Sequence, residues 1–155
     1  MADTKWIAFF SQTGSEIADI ADSIKRWPDV IITNDRPEHL RTVDERIAKQ
    51  GYFTWSNKPT EDEYIELLEA YPDALVTLHG WLRIVPEYVC ERSRIYNGHP
   101  GLIGCVLHKV TAGVDEGKVI AEERVNAFGL DLENTFRILR DRSLYLWVNF
   151  LKKVL

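Results

Sequence analysis

Asn97, His99 and Asp115 stand within one stretch, "RIYNGHPGLIGCVLHKVTAGVDEGKVI", which runs from Arg94 to Ile120. An amide, an imidazole and a carboxylate brought to one cleft have a definite chemistry. The amide and imidazole stabilise the oxyanion of a tetrahedral intermediate, while the imidazole and carboxylate manage a proton. None of the three is a nucleophile in that scheme, so the reaction it suits is acyl transfer to an external amine. Each residue also has a plain structural reading: a loop histidine, a turn asparagine and a hairpin-turn carboxylate. Placement favours the chemical reading, because all three fall at strand ends that can converge. Gly98, Pro100 and Gly101 are turn formers, so His99 is expected on a stiff loop rather than inside a strand.

Other chemistries lack their spacing. His79, Cys90, His99, Cys105 and His108 are joined by no CxxC, HxH or HExxH pattern, so no metal is expected. There is no GxSxG elbow for a serine nucleophile. "SQTGS" (Ser11–Ser15) offers backbone N–H groups at a helix N-terminus, which attracts an anion, yet it is neither a GxGxxG nor a P-loop. A tight turn with a Ser15 cap reads that segment equally well. Cys90 and Cys105 make no disulfide framework, and each is expected to be a buried free thiol in a reducing compartment.

The elements that must position these groups alternate. "KWIAFF" (Lys5–Phe10) is an apolar run of the kind buried on both faces of a sheet. "SEIADIADSIKRW" has Ile17, Ile20, Ala21, Ile24 and Trp27 at helical spacing, with Ser15 as cap and Pro28 as stop. "DVIIT" reads as a strand, "HLRTVDERIAKQG" as a helix closed by Gly51, and "YFTW" as a short strand. "TEDEYIELLEAY" carries the capping box Thr60–Glu63 and an apolar face of Tyr64, Leu67, Leu68 and Tyr71. "DALVTLHG" (Asp73–Gly80) is a further buried strand. Strands alternating with helices mean a mostly parallel sheet with right-handed crossovers. "GCVLHKVT" and "GKVIAEERV" read as an antiparallel pair at one edge, joined by "AGVDEG". A C-terminal helix from about Leu132 has two apolar stripes. Leu132, Phe136, Leu139, Trp147, Phe150 and Val154 form one, and Leu144, Val148, Leu151 and Leu155 form the other. Such a helix is either sandwiched in the core or covers a partner subunit in a homodimer.

At 155 residues the chain suits a single domain, residues 1–155, large enough to bury a core. Its apolar share of 45% and charged share of 28% are those of an ordinary globular protein. A formal charge of −5 with scattered basic residues argues against nucleic acid. "MADTKWIAFF" reads as no secretory signal, and no run is long enough for a membrane span, so a cytoplasmic protein is expected.

Four motifs in order, from residue 5 to about 128, resemble the folate-dependent formyltransferases, the group that contains glycinamide ribonucleotide transformylase. "NGHPGL" is similar to that family's N-x-H-P-S-L signature. "LVTLHGWLRIVPEYV" is similar to its strand followed by G-[FY]-[ML]-R-I-L. "VTAGVDEGKVIAEERV" is similar to V-T-x-x-x-D-x-G-x-[VI]-I, and "IAFFSQTGSEIADI" to the first strand and its G-x-G-S-N loop. The resemblance implies a Rossmann-like α/β sheet and 10-formyltetrahydrofolate as formyl donor. It makes Asn97, His99 and Asp115 the catalytic trio. It assigns the pterin to Trp81, Leu82, Arg83, Ile84 and Val85, largely through backbone groups, and to the turn of Ala112, Gly113, Val114 and Asp115. The acceptor's phosphate falls to the loop of Thr13, Gly14 and Ser15.

The departures are specific. Sixteen positions separate His99 from Asp115, where the family carries a longer insert. Gly98 replaces an apolar residue, Gly101 replaces Ser, and Glu16 stands in place of the phosphate-side Asn. A carboxylate there repels a phosphate unless it turns to solvent. The chain stops after its last helix, without the extra domain of the initiator-tRNA enzyme, which disfavours tRNA. The resemblance thus implies an N-formyltransferase acting on a primary amine of a small acceptor, with glycinamide ribonucleotide the family default and a nucleotide-linked amino sugar its rival. Two alternatives stay open: a 10-formyltetrahydrofolate hydrolase using water as acceptor, and a non-catalytic folate-binding relic.

Overall fold

The computed structural model describes residues 4–34, 42–56, 58–81, 83–92, 94–101, 104–109, 119–124 and 132–155. In chain order its elements are β1 (Trp6–Phe10), α1 (Ser15–Ile24), β2 (Val30–Asn34), α2 (Glu45–Gln50), β3 (Phe53–Trp55), α3 (Glu61–Ala70), β4 (Leu75–His79), α4 (Glu87–Arg92), β5 (Arg94–Gly101), β6 (Gly104–Lys109), β7 (Val119–Arg124) and α5 (Leu132–Val154). The strands form one sheet in the order β3-β2-β1-β4-β5-β6-β7. The first five in that order are mutually parallel, giving the Rossmann-like core expected from the alternation of strands and helices. At the β5 edge, β6 pairs antiparallel with β5, and β7 antiparallel with β6.

Strands β1, β2 and β4 are buried at every position, as apolar strands covered by helices on both faces must be. Side-chain alternation divides the core in two. Trp6, Ala8 and Phe10 pack with Ile17 and Ile20 of α1, Ile47 of α2, and Leu139, Leu146, Trp147 and Leu151 of α5. Ile7 and Phe9 pack on the other face with Tyr64 of α3 and with Val89 and Cys90 of α4.

The capping box of α3 is present in full: the Thr60 hydroxyl accepts from the Glu63 backbone N–H, and the Glu63 carboxylate accepts from the Thr60 N–H. Thr60→Ala is expected to cost about 1 kcal/mol, read as a lowered midpoint of denaturant unfolding.

Several expected boundaries move. The cap of α1 is Gly14 rather than Ser15, because the chain enters the helix with φ 76°, a left-handed conformation that a side chain disfavours. The helix stops at Ile24, where Lys25 turns left-handed at φ 60° and donates its N–H to the Ala21 carbonyl, so it does not run on to Trp27 and Pro28. Helix α2 starts only after Asp44, whose side chain accepts from the Arg46 N–H. Of the longer helix expected there, residues 42–44 are not helical and 35–41 lie outside the described residues.

The two stripes of α5 resolve toward the core. Leu139, Leu146, Trp147 and Leu151 are buried, and Leu144, Phe150, Val154 and Leu155 pack against the same cluster. The side chains of Leu132 and Phe136 lie outside the described residues. Within the chain the core thus takes up members of both stripes. Among the described residues no helix is long and apolar enough to cross a membrane.

Candidate active site

Ligands of an open parallel sheet gather at the carboxyl ends of its strands, and three expected segments meet there. Phe10 at the end of β1 is in register with His79 at the end of β4, and Leu78 is in register with Asn97 of β5. In the loops beyond, the Gln12 side chain lies against Gly80, which turns at φ 65°. Asn97 is half-buried and already engaged in polar contacts.

One expectation is corrected here. Asn97, Gly98, His99, Pro100 and Gly101 do not form a loop; they are strand β5. The reason is tertiary pairing: β6 matches β5 from Tyr96↔Lys109 to Gly101↔Gly104, and this ladder overrides the turn preference of Asn, Gly and Pro. Positions 97 and 99 are thus held two apart on one paired strand. The side chain of His99 lies outside the described residues, as do Ala112, Gly113, Val114 and Asp115.

The segment after β4 is anchored at both ends. Trp81 and Val85 are buried in the core, and the Trp81 indole donates from Nε1 to the Tyr64 hydroxyl at 3.1 Å. Burial raises that phenol's pKa to about 12, so it stays protonated. Ile84 is instead 66% exposed. Arg83 is half-buried with polar contacts of its own, and Leu82 lies outside the described residues.

At the first loop, Gly14 is fixed by space as well as by φ, since a Cβ there would lie 3.1 Å from Ile47 and 3.3 Å from Phe10. The Thr13 hydroxyl donates to Ser15 Oγ at 3.1 Å and accepts from the Ser15 N–H. Arg140 of α5 donates to Ser15 Oγ at 3.1 Å and to Asp19 at 3.1 Å. Arg46 binds Asp19, Asp22 and Asp44 together. Its hydrogen bond holds the Asp44 carboxyl below the ordinary range.

Glu16, marked in the sequence as a departure, and His79, whose partner no sequence pattern marks, form the polar centre of this end of the sheet. His79 Nδ1 lies 2.7 Å from Glu16 Oε1, and its Nε2 lies 2.7 Å from Thr77 Oγ1, which accepts from Trp6 Nε1 at 2.9 Å. Ser143 of α5 donates to the second Glu16 oxygen at 3.2 Å. Glu16 therefore does not swing away, as relief of its clash with an anion would require; both of its oxygens are engaged. Burial raises its pKa, but His79, through hydrogen bond and charge, and then Ser143 and Trp147 outweigh that and leave it below the ordinary value. The Trp147 indole N–H makes no hydrogen bond of ordinary geometry among the described residues, yet it sits near enough to help hold the Glu16 charge. The indole also packs against His79, with ring centroids 4.7 Å apart and planes tilted by 46°. It fills the space over Gly98, where an added Cβ would lie 2.6 Å from Nε1.

A carboxyl group with a lowered folded pKa stabilises the protein above its unfolded pKa, and that contribution is lost as pH falls through the folded value. Unfolding at a series of pH values should therefore show stability falling below the ordinary carboxylate range. Glu16→Gln should flatten the decline; an unchanged slope would place it on other carboxylates.

Cys90 is a buried free thiol, and burial raises its pKa, so it is no nucleophile. The Cys105 side chain lies outside the described residues. Among the described residues no group of three His, Cys, Asp or Glu side chains is placed to hold a metal.

No family model matches the chain, and no curated protein matches it by sequence. Solved structures match in fold. Phosphoribosylglycinamide formyltransferase from Bacillus halodurans has a TM-score of 0.77 at 22% identity, over 96% of this chain and 94% of that one. The enzyme of the same name from Campylobacter jejuni gives 0.78 at 16% identity, over 99% of each chain. A sugar N-formyltransferase from a Shewanella species gives 0.73 at 17% identity, over 97% of this chain and 69% of that one. The chain has the fold of these formyltransferases, the fold that its four motifs resemble.

Proposed function

We propose that the protein is an N-formyltransferase that moves the formyl group of 10-formyltetrahydrofolate to the primary amine of a small acceptor. The observation that carries this reading is the placement of Asn97 and His99 on β5 beside the end of β4, in a chain with the formyltransferase fold. The segment from Trp81 to Val85 suits the folate, since its buried side chains leave backbone groups at the cleft to pair with a pterin edge.

In the reaction, the neutral amine attacks the formyl carbon and forms a C–N bond. Asn97 and His99 stabilise the negative charge that develops on the formyl oxygen. The bond from carbon to N10 of the folate then breaks, and the proton lost by the amine passes through water to N10. Asp115 holds His99 charged and assists that relay. Thr13, Gly14 and Ser15, with Arg140 beside them, face the body of the acceptor.

The test is an assay with isotope-labelled formyl donor and a panel of small amines, run alongside a sample without amine. Labelled formamide product supports the transferase. Formate released equally with and without amine makes the protein a 10-formyltetrahydrofolate hydrolase. Folate binding with neither product makes it a non-catalytic binder.

A further inference from the structure

The head of α1 is a place where an anion would be drawn, and the chain supplies that anion itself. A helix N-terminus carries partial positive charge and favours negative groups in its first turn. Glu16 is the acidic residue in the first turn of α1. Both of its oxygens are occupied, one by His79 and the other by Ser143, so the carboxylate is fixed rather than free to swing away. Its side chain is 28% exposed, so the charge is felt at the surface of the cleft.

The surrounding charges point the same way. Arg46 is matched by three carboxylates, Asp19, Asp22 and Asp44. Arg140, the cation that reaches Ser15, also contacts Asp19. Around this end of α1, four carboxylates thus face two guanidinium groups and His79. A phosphate ester arriving at the Thr13–Ser15 loop would meet a fixed carboxylate on the next residue of the helix.

We infer that Glu16, clamped between His79 and Ser143, is a specificity-determining residue, and that the site takes an amine bearing no phosphate. Its acceptor is a primary amine without an anionic group, for which an unphosphorylated amino sugar serves as the probe. The inference rests on the formyl-transfer reading, which puts the acceptor at the Thr13–Ser15 loop, and the preference against phosphate is read by binding, apart from turnover.

The experiment is calorimetric binding of a matched pair, glucosamine and glucosamine 6-phosphate, to the wild type, to Glu16→Gln and to Glu16→Gln/His79→Gln. The single variant keeps a group that can hydrogen-bond Ser143, and the double variant also removes the histidine whose carboxylate partner is gone. The wild type should bind glucosamine at least as tightly as its 6-phosphate. Removing the Glu16 charge should strengthen binding of the 6-phosphate about tenfold relative to glucosamine. Tighter binding of the 6-phosphate by the wild type overturns the inference, as does a preference that is the same, or no binding, in all three proteins. If formyl transfer itself fails, the labelled-donor assay yields no product while the phosphate preference is still read from binding.

Discussion

His99→Ala is expected to lower the rate of formyl transfer by about 10²- to 10⁴-fold while leaving folate affinity nearly unchanged. In the proposed reaction the imidazole serves the formyl oxygen and the migrating proton, whose charges develop only in the transition state, so its loss should fall on kcat. In the proposed site the folate falls to a different segment, the one anchored through the buried Trp81 and Val85. Single-turnover kinetics with saturating donor separates the two effects. A variant that keeps the wild-type rate would remove His99 from the mechanism. A variant that loses folate binding in proportion would give it a binding role.

The largest expected loss of stability is that of Trp147→Ala, about 3–5 kcal/mol. The indole is fully buried, packed against His79 and pressed over Gly98, so its removal leaves a cavity where α5 meets the sheet. The converse change, Gly98→Ala, overpacks the same spot and is expected to cost about 1–3 kcal/mol. The two positions are coupled through one volume, so Gly98→Ala should cost less in a Trp147→Phe background, where the ring is smaller. Denaturant unfolding of the four proteins in that cycle measures the coupling. Strictly additive costs would mean that the indole and Gly98 do not share space. The same contact accounts for a glycine at position 98, since Trp147 fills the room that a side chain there would need.

Local chemistry made much of the architecture legible. The apolar runs of β1, β2 and β4 and the Thr60–Glu63 box announce themselves within a few residues, and the structure has them where expected. What escaped was decided between distant segments. Asn97 to Gly101 are composed like a turn, and pairing with β6 throughout, and with β4 at Asn97, makes them a strand. The partner of Glu16 lies 63 positions away in His79, and a second lies 127 positions away in Ser143, with no periodicity to link them. Trp147 was legible as one member of an apolar stripe, but not as the side chain that sets the size of residue 98. Arg140 reaches Ser15 only because α5 packs against α1. In the candidate site, then, motif order named residues of β5 and of the loop after β4, while the electrostatics of the acceptor side emerged only from the packing of α1, β4 and α5.

A formyl-transfer site at the carboxyl ends of the strands is tested most directly by titrating isotope-labelled protein with a non-transferring 10-formyl folate analogue and following backbone amides by NMR. The expected result is saturable perturbation of Gly80, Trp81, Arg83, Ile84 and Val85, together with Asn97, Gly98 and His99. Perturbation confined to the opposite end of the sheet, around Val30, Tyr52 and Phe53, or no saturable response at all, would contradict it.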